Sequence, residues 1–153
     1  MTMPRTRLLV LLVGGLMAAV AMALPAGSPA RADARSDTTL FVNLTTDDPW
    51  SATMAFGYAD MVRKAGHPVV VFLNVRAVRL ADRTRPPETP APDGKGPRAL
   101  LEGLIANGVT VYVCPMCSEK AGLAEADWIA GVKRGGPETI KVQMAPATKV
   151  MSY

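Results

Sequence analysis

Between Thr39 and Tyr153 short apolar, β-branched runs alternate with segments of helical periodicity. Thr39–Leu44 (TLFVNL) predicts a buried strand, and Thr45-Thr46-Asp47-Asp48-Pro49 ends it with helix-start chemistry. Asp48 suits the N-cap, and Pro49 at the first helical position gives up only an N–H that has no partner there. Ala52, Ala55, Phe56, Ala59 and Val62 then recur at helical spacing, Lys64 complements the C-terminal dipole and Gly66 suits a left-handed cap, so a helix is expected from Pro49 to Ala65.

Pro68–Leu73 (PVVVFL) is a continuous apolar run, the mark of a strand covered on both faces in a parallel sheet. Asn74–Asp82 reads as a short strand or turn. Arg83–Pro97 carries five of the thirteen prolines together with Gly94 and Gly96, and is expected to be a mobile loop. A helix over Arg98–Asn107, with Leu100, Leu101, Leu104 and Ile105 inward, closes at Asn107-Gly108 and leads into a buried strand, Val109–Val113. Met116–Ala121 and Glu125–Ile129 read as helical pieces, Thr139–Met144 as a strand and Lys149–Tyr153 as an edge strand. This alternation predicts a three-layer α/β domain with a largely parallel sheet and right-handed crossovers.

Ahead of this pattern lies an uncharged apolar run, Leu8–Leu24, preceded by Arg5 and Arg7 and ended by Pro25. Residues 1–34 read as a secretory signal peptide, with small-x-small cleavage sites after Ala32 and Ala34; a retained anchor is the alternative. The expected mature chain is one domain, residues 35–153, in the periplasm or secreted. With no Arg-Arg pair in the leader, the general secretory route is favoured.

Composition narrows the partners. The 153 residues hold 17 Lys+Arg against 13 Asp+Glu, a formal +4, which falls to about +2 without the leader, too little to argue for nucleic acid by counterion release. Only 5% of residues are aromatic, against a base-stacking platform. No membrane contact is expected once the leader is removed. Two cysteines and one histidine cannot fill a four-ligand zinc site within one chain, and no cofactor is expected.

The sharpest chemical feature is Cys114-Pro115-Met116-Cys117, where a strand hands over to a helix. Reaction sites in open α/β sheets lie beyond the carboxyl ends of strands. Helix-start amides and Lys120 there favour a thiolate, with Glu119 opposing. Four readings stay open: thiol or persulfide chemistry at Cys114, a structural disulfide from Cys114 to Cys117, a Cu(I) or Zn site shared with other groups or a second subunit, and two inert thiols. Thioredoxin chemistry is disfavoured, since its Cys-x-x-Cys follows an early strand and this pair lies in the C-terminal half. His67, between Gly66 and Pro68, reads as a capping or surface residue rather than a ligand. Thr45, Thr46, Asp47 and Asn74 stand at strand ends near the site, although turn and cap chemistry accounts for Thr45 to Asp48. Arg76, Arg79, Arg83 and Arg85 form a basic run, either a solvated face or an attractor for an anionic sulfur compound. Trp50 and Trp128 suit either subunit contacts or the core.

The chain resembles the DsrE/DsrF-like family of small sulfur-relay proteins, which includes TusD-type subunits and YchN-like proteins. The carriers are Leu40–Leu44 with Asp48-Pro49, Gly66-His67-Pro68-Val69, Gly108–Cys117, Ala130-Gly131-Val132 and Val150–Tyr153. The resemblance implies a flavodoxin-like α/β/α subunit, assembly into homotrimers or homohexamers, and a persulfide carried by the cysteine that follows a strand, a position Cys114 matches. It also implies a partner protein that donates sulfur or exchanges thiols. Cys117 has no counterpart in the one-cysteine relay subunits and suggests either a resolving thiol or a site turned toward metal binding or plain redox exchange. The leader is a second departure and disfavours a role in tRNA thiolation.

Overall fold

The computed structural model describes residues 37–86 and 95–153. The expected leader with its cleavage sites, and the centre of the expected mobile loop, lie outside the described residues.

Asp48 caps the first helix as its side chain accepts from the Ser51 N–H at 2.8 Å, and Pro49 occupies the first helical position. Helix α1 therefore spans Pro49–Lys64 and follows strand β1, Thr39–Leu44. Strand β2 is Val69–Leu73, helix α2 is Pro97–Ala106, strand β3 is Thr110–Val113 and helix α3 is Pro115–Lys120. Strand β4, Val132–Arg134, helix α4, Pro137–Gln143, and strand β5, Thr148–Ser152, complete the order.

Among the described residues the five strands form one sheet, ordered β4-β3-β2-β1-β5 and parallel at every pairing. The chain steps from β1 through β4 in one direction and then returns across the sheet to β5. With right-handed crossovers, that reversal puts α4 on the face opposite α1 and α2. The burial agrees. Leu40, Val42, Leu44, Val69, Val71, Leu73, Val111 and Val113 meet Ala52, Ala55, Phe56, Leu101 and Leu104 in the main core, and α1 packs on α2. Phe41 and Phe72 point the other way, their ring centroids 6.2 Å apart. Each fully buried Val, Leu or Phe side chain stabilises the fold by about 1.5–3 kcal/mol. The architecture is the expected three-layer, flavodoxin-like α/β/α arrangement, its sheet parallel throughout.

Three local expectations are corrected. Thr139–Met144 is not a strand but lies largely in α4: the β-branched run Thr139-Ile140 and Val142 suggests a strand, but Pro137 presets a helical φ and Glu138 favours the first turn. The strand in that region is β4, only three residues long and so without a periodic signature. Asn74–Asp82 is neither strand nor simple turn but contains a 3-10 helix, Val75–Ala81, that buries Ala77, Val78, Leu80 and Ala81. Glu125–Ile129 is helical only over Glu125–Asp127, after which Trp128 forms an antiparallel bridge with Asp82.

Candidate functional site

The register aligns Leu44 with Leu73 and Leu73 with Val113, so the segments leaving β1, β2 and β3 emerge side by side. The backbone ladder continues past the strands. The Asn74 N–H donates to Leu44 O at 2.8 Å, the Cys114 N–H to Leu73 O at 2.9 Å and the Arg76 N–H to Thr45 O at 3.0 Å. These bonds fix the first residues of three crossovers on a rigid sheet edge, with the thiols above the inner strand β3.

Cys114 is the N-cap residue of α3, extended at φ −66° and ψ 115°, and its side chain makes no cap bond. Cys117 stands one turn on. Both cysteines are free and half-buried. The Cys117 thiol donates to Asn74 Oδ1 at 3.2 Å and accepts from the Val75 N–H at 3.3 Å. That same N–H donates to Asn74 Oδ1 at 2.8 Å, which orients the amide with its oxygen toward the thiol. Val75 adopts φ +48°, in the left-handed region, where a β-branched residue is strained by about 1–3 kcal/mol. The strain aims the Val75 N–H at both the sulfur and the amide oxygen.

The two thiols are therefore unequal. Burial pushes the Cys117 thiol above its ordinary pKa, and its contact with Cys114 adds to this; the Val75 N–H and the Lys120 ammonium pull the other way and are outweighed. Lys120 thus acts toward the thiolate at Cys117, as expected, but burial outweighs it.

Beside Cys117 opens a cavity of about 350 Å³ lined by Val75, Arg76, Arg79, Cys117, Lys120 and Ala121. Arg76 is paired with Asp47 at 2.6 Å, and Arg85 stands 3.6 Å from the same carboxylate. Burial acts to raise the Asp47 pKa, but the hydrogen bond and charge of Arg76, with help from Arg85, hold the carboxyl below its usual range.

Of the residues singled out in the sequence, the fold thus brings Cys114, Cys117, Asn74, Lys120, Arg76 and Arg79 together. Thr45 and Thr46 serve the turn: Thr45 Oγ1 donates to Tyr153 O at 2.7 Å and Thr46 Oγ1 accepts from the Asp48 N–H at 3.0 Å. His67 precedes β2, at the amino end of the parallel sheet, with Nδ1 3.3 Å from Thr38 O. It is therefore remote from the thiols. Among the described residues no three His, Cys, Asp or Glu side chains gather as metal ligands. Trp128 is buried, while Trp50 is 78% exposed. Val75 has no counterpart in the sequence reading, because a β-branched residue carries no signal for positive φ.

A parallel α/β sheet with two free thiols one helical turn apart at the carboxyl end of an inner strand defines a small α/β protein with a dithiol site. The chain belongs to the DsrE/DsrF-like family, whose pattern matches residues 38–153. Among solved structures it is similar to the YchN protein from E. coli, with 22% identity and a TM-score of 0.64 over 77% of this chain and 100% of that one. A protein of unknown function, MTH1491 from Methanobacterium thermoautotrophicum, matches at 16% identity and a TM-score of 0.54 over 76% of this chain and 100% of its own. A comparison with curated protein sequences finds no match. No helix among the described residues is long and apolar enough to cross a membrane.

Proposed function

We propose that this protein transfers sulfane sulfur through Cys114, with Cys117 as the resolving thiol. The observation that carries the reading is the different setting of the two thiols: Cys117 donates to Asn74 Oδ1 and accepts from the Val75 N–H, while the Cys114 side chain makes no cap bond. The Cys114 thiolate attacks the outer sulfur of a donor, the donor's S–S bond breaks and the electron pair leaves with the remainder of the donor. Cys114 then carries a persulfide. Cys117, once deprotonated, attacks the inner sulfur of that persulfide, forming the Cys114–Cys117 disulfide and expelling hydrosulfide. An outside thiol attacking the outer sulfur instead receives it directly. Thiol–disulfide exchange uses the same two residues.

Membership of the DsrE/DsrF-like family supports the sulfur-relay reading in general. Export to the periplasm or outside the cell rests on the apolar leader and its two cleavage sites alone. A homo-oligomer is part of the reading, supported by Trp50, Met54, Tyr58 and Met61, which stand exposed along α1.

The test is intact-mass analysis of reduced protein after exposure to a persulfide donor. One added sulfur on the wild type and none on Cys114→Ser is expected. No adduct on the wild type, or the same adduct on Cys114→Ser, contradicts the proposal.

A further inference from the structure

The cavity beside Cys117 is charged on one side. Arg76, Arg79 and Lys120 line it. The Arg76 guanidinium is committed to Asp47 through Nε at 2.8 Å and Nη2 at 2.6 Å. Arg79 and Lys120 have no carboxylate partner among the described residues, so they leave uncompensated positive charge at the rim. Glu119, the carboxylate next to Lys120, borders a different cavity on the other side of α3, with Met116, Ser118 and Trp128. The cationic side chains and the sulfur thus share one hollow that no acid among its lining residues neutralises.

We propose that this basin docks an anionic sulfane-sulfur donor, thiosulfate or a polysulfide, with Arg79 and Lys120 holding its charge and its outer sulfur turned to the thiol pair. The inference rests on the sulfur-transfer reading and names the substrate class. Two cations fit a doubly charged donor, and Cys117, which lines the basin, stands one helical turn from Cys114. The Cys114 thiolate attacks the outer sulfur of thiosulfate; the S–S bond breaks and sulfite departs with the electron pair. A Cys114 persulfide anion remains, and the total charge of minus three is unchanged. With polysulfide the leaving group is the shortened polysulfide anion, and no oxidant or reductant is consumed. The cations that hold the donor also stabilise the negative charge that departs.

The experiment compares wild type with Arg79→Gln/Lys120→Gln, whose replaced side chains are exposed and unpaired among the described residues; circular dichroism checks the fold. Loading by thiosulfate and by polysulfide is timed by intact mass. Modification by methyl methanethiosulfonate, an uncharged reagent that also presents a polarised S–S bond, serves as reference. The ratio of anionic loading to uncharged modification is expected to fall tenfold or more in the double variant, and to fall for whichever anion is the donor. A ratio unchanged for both anions overturns the basin while leaving sulfur transfer at Cys114 intact. Wild type that reacts with the uncharged reagent but takes sulfur from no persulfide, polysulfide or thiosulfate overturns the sulfur-transfer reading and the donor role with it.

Discussion

Replacing Asn74 by Ala should make Cys117 more reactive, although the change removes a polar group. Asn74 Oδ1 accepts both the Cys117 thiol proton at 3.2 Å and the Val75 N–H at 2.8 Å. Without it the protonated thiol loses an acceptor, and the Val75 N–H gives its whole bond to the sulfur, which favours the thiolate. Both changes lower the thiol pKa. A net hydrogen bond of about 1 kcal/mol corresponds to about a fivefold rise in thiolate below the midpoint. The thiolate also becomes intrinsically less nucleophilic as its pKa falls, so the net gain in alkylation rate at pH 7 is about two- to threefold. The assay is iodoacetamide alkylation against pH in a Cys114→Ser background, where only Cys117 reacts. The midpoint should move down with no rise in the high-pH plateau, and Asn74→Asp, which adds negative charge, should move it up. A plateau that rises with an unmoved midpoint means that only access changed. A slower reaction means that the amide stabilised the thiolate; either result refutes the hydrogen-bond assignment.

Two further outcomes follow from the same geometry. Asp47 has its folded-state pKa lowered, so its stabilisation is present above the unfolded value, near 3.8, and is lost as pH falls through the folded value. The stability difference between wild type and Asp47→Asn, from urea titrations at pH 7 down to pH 3, should be largest near neutrality and shrink in acid; a constant difference contradicts the ion-pair account. At Gly135 an added Cβ meets Val113 O at 2.9 Å and the Phe72 ring at 3.1 Å, and the carbonyl cannot move without shifting β3. Gly135→Ala should cost about 1–3 kcal/mol in thermal or urea unfolding, and an unchanged midpoint would show that the β3–β4 junction yields freely.

How far the sequence discloses this molecule depends on the length of each signal. The strands β1 and β2 and helix α1 each carry several residues of one period plus a cap or turn, and the structure repeats their expected limits almost to the residue. Thr139–Ile140 misleads because two adjacent β-branched residues mimic a strand, whereas the Gly136-Pro137 start makes a helix. The Cys-x-x-Cys and its place after a strand are readable from spacing alone. The difference between its thiols is not, since it depends on Asn74 and a strained Val75 that lie 43 and 42 residues from Cys117 and reach it only because β2 and β3 are paired. The basin is half-visible in the same way: the arginine run is in the sequence, but which guanidinium Asp47 occupies is settled by the fold.

The division of labour between the thiols is tested most directly by following sulfur on the protein over time. Reduced wild type and Cys117→Ser, given a brief pulse of persulfide donor and then desalted, are sampled by intact mass with peptide mapping. The account predicts a Cys114 adduct that persists in Cys117→Ser but decays in the wild type to a Cys114–Cys117 disulfide with release of hydrosulfide. An adduct that maps to Cys117, or one that decays equally fast in both proteins, contradicts it.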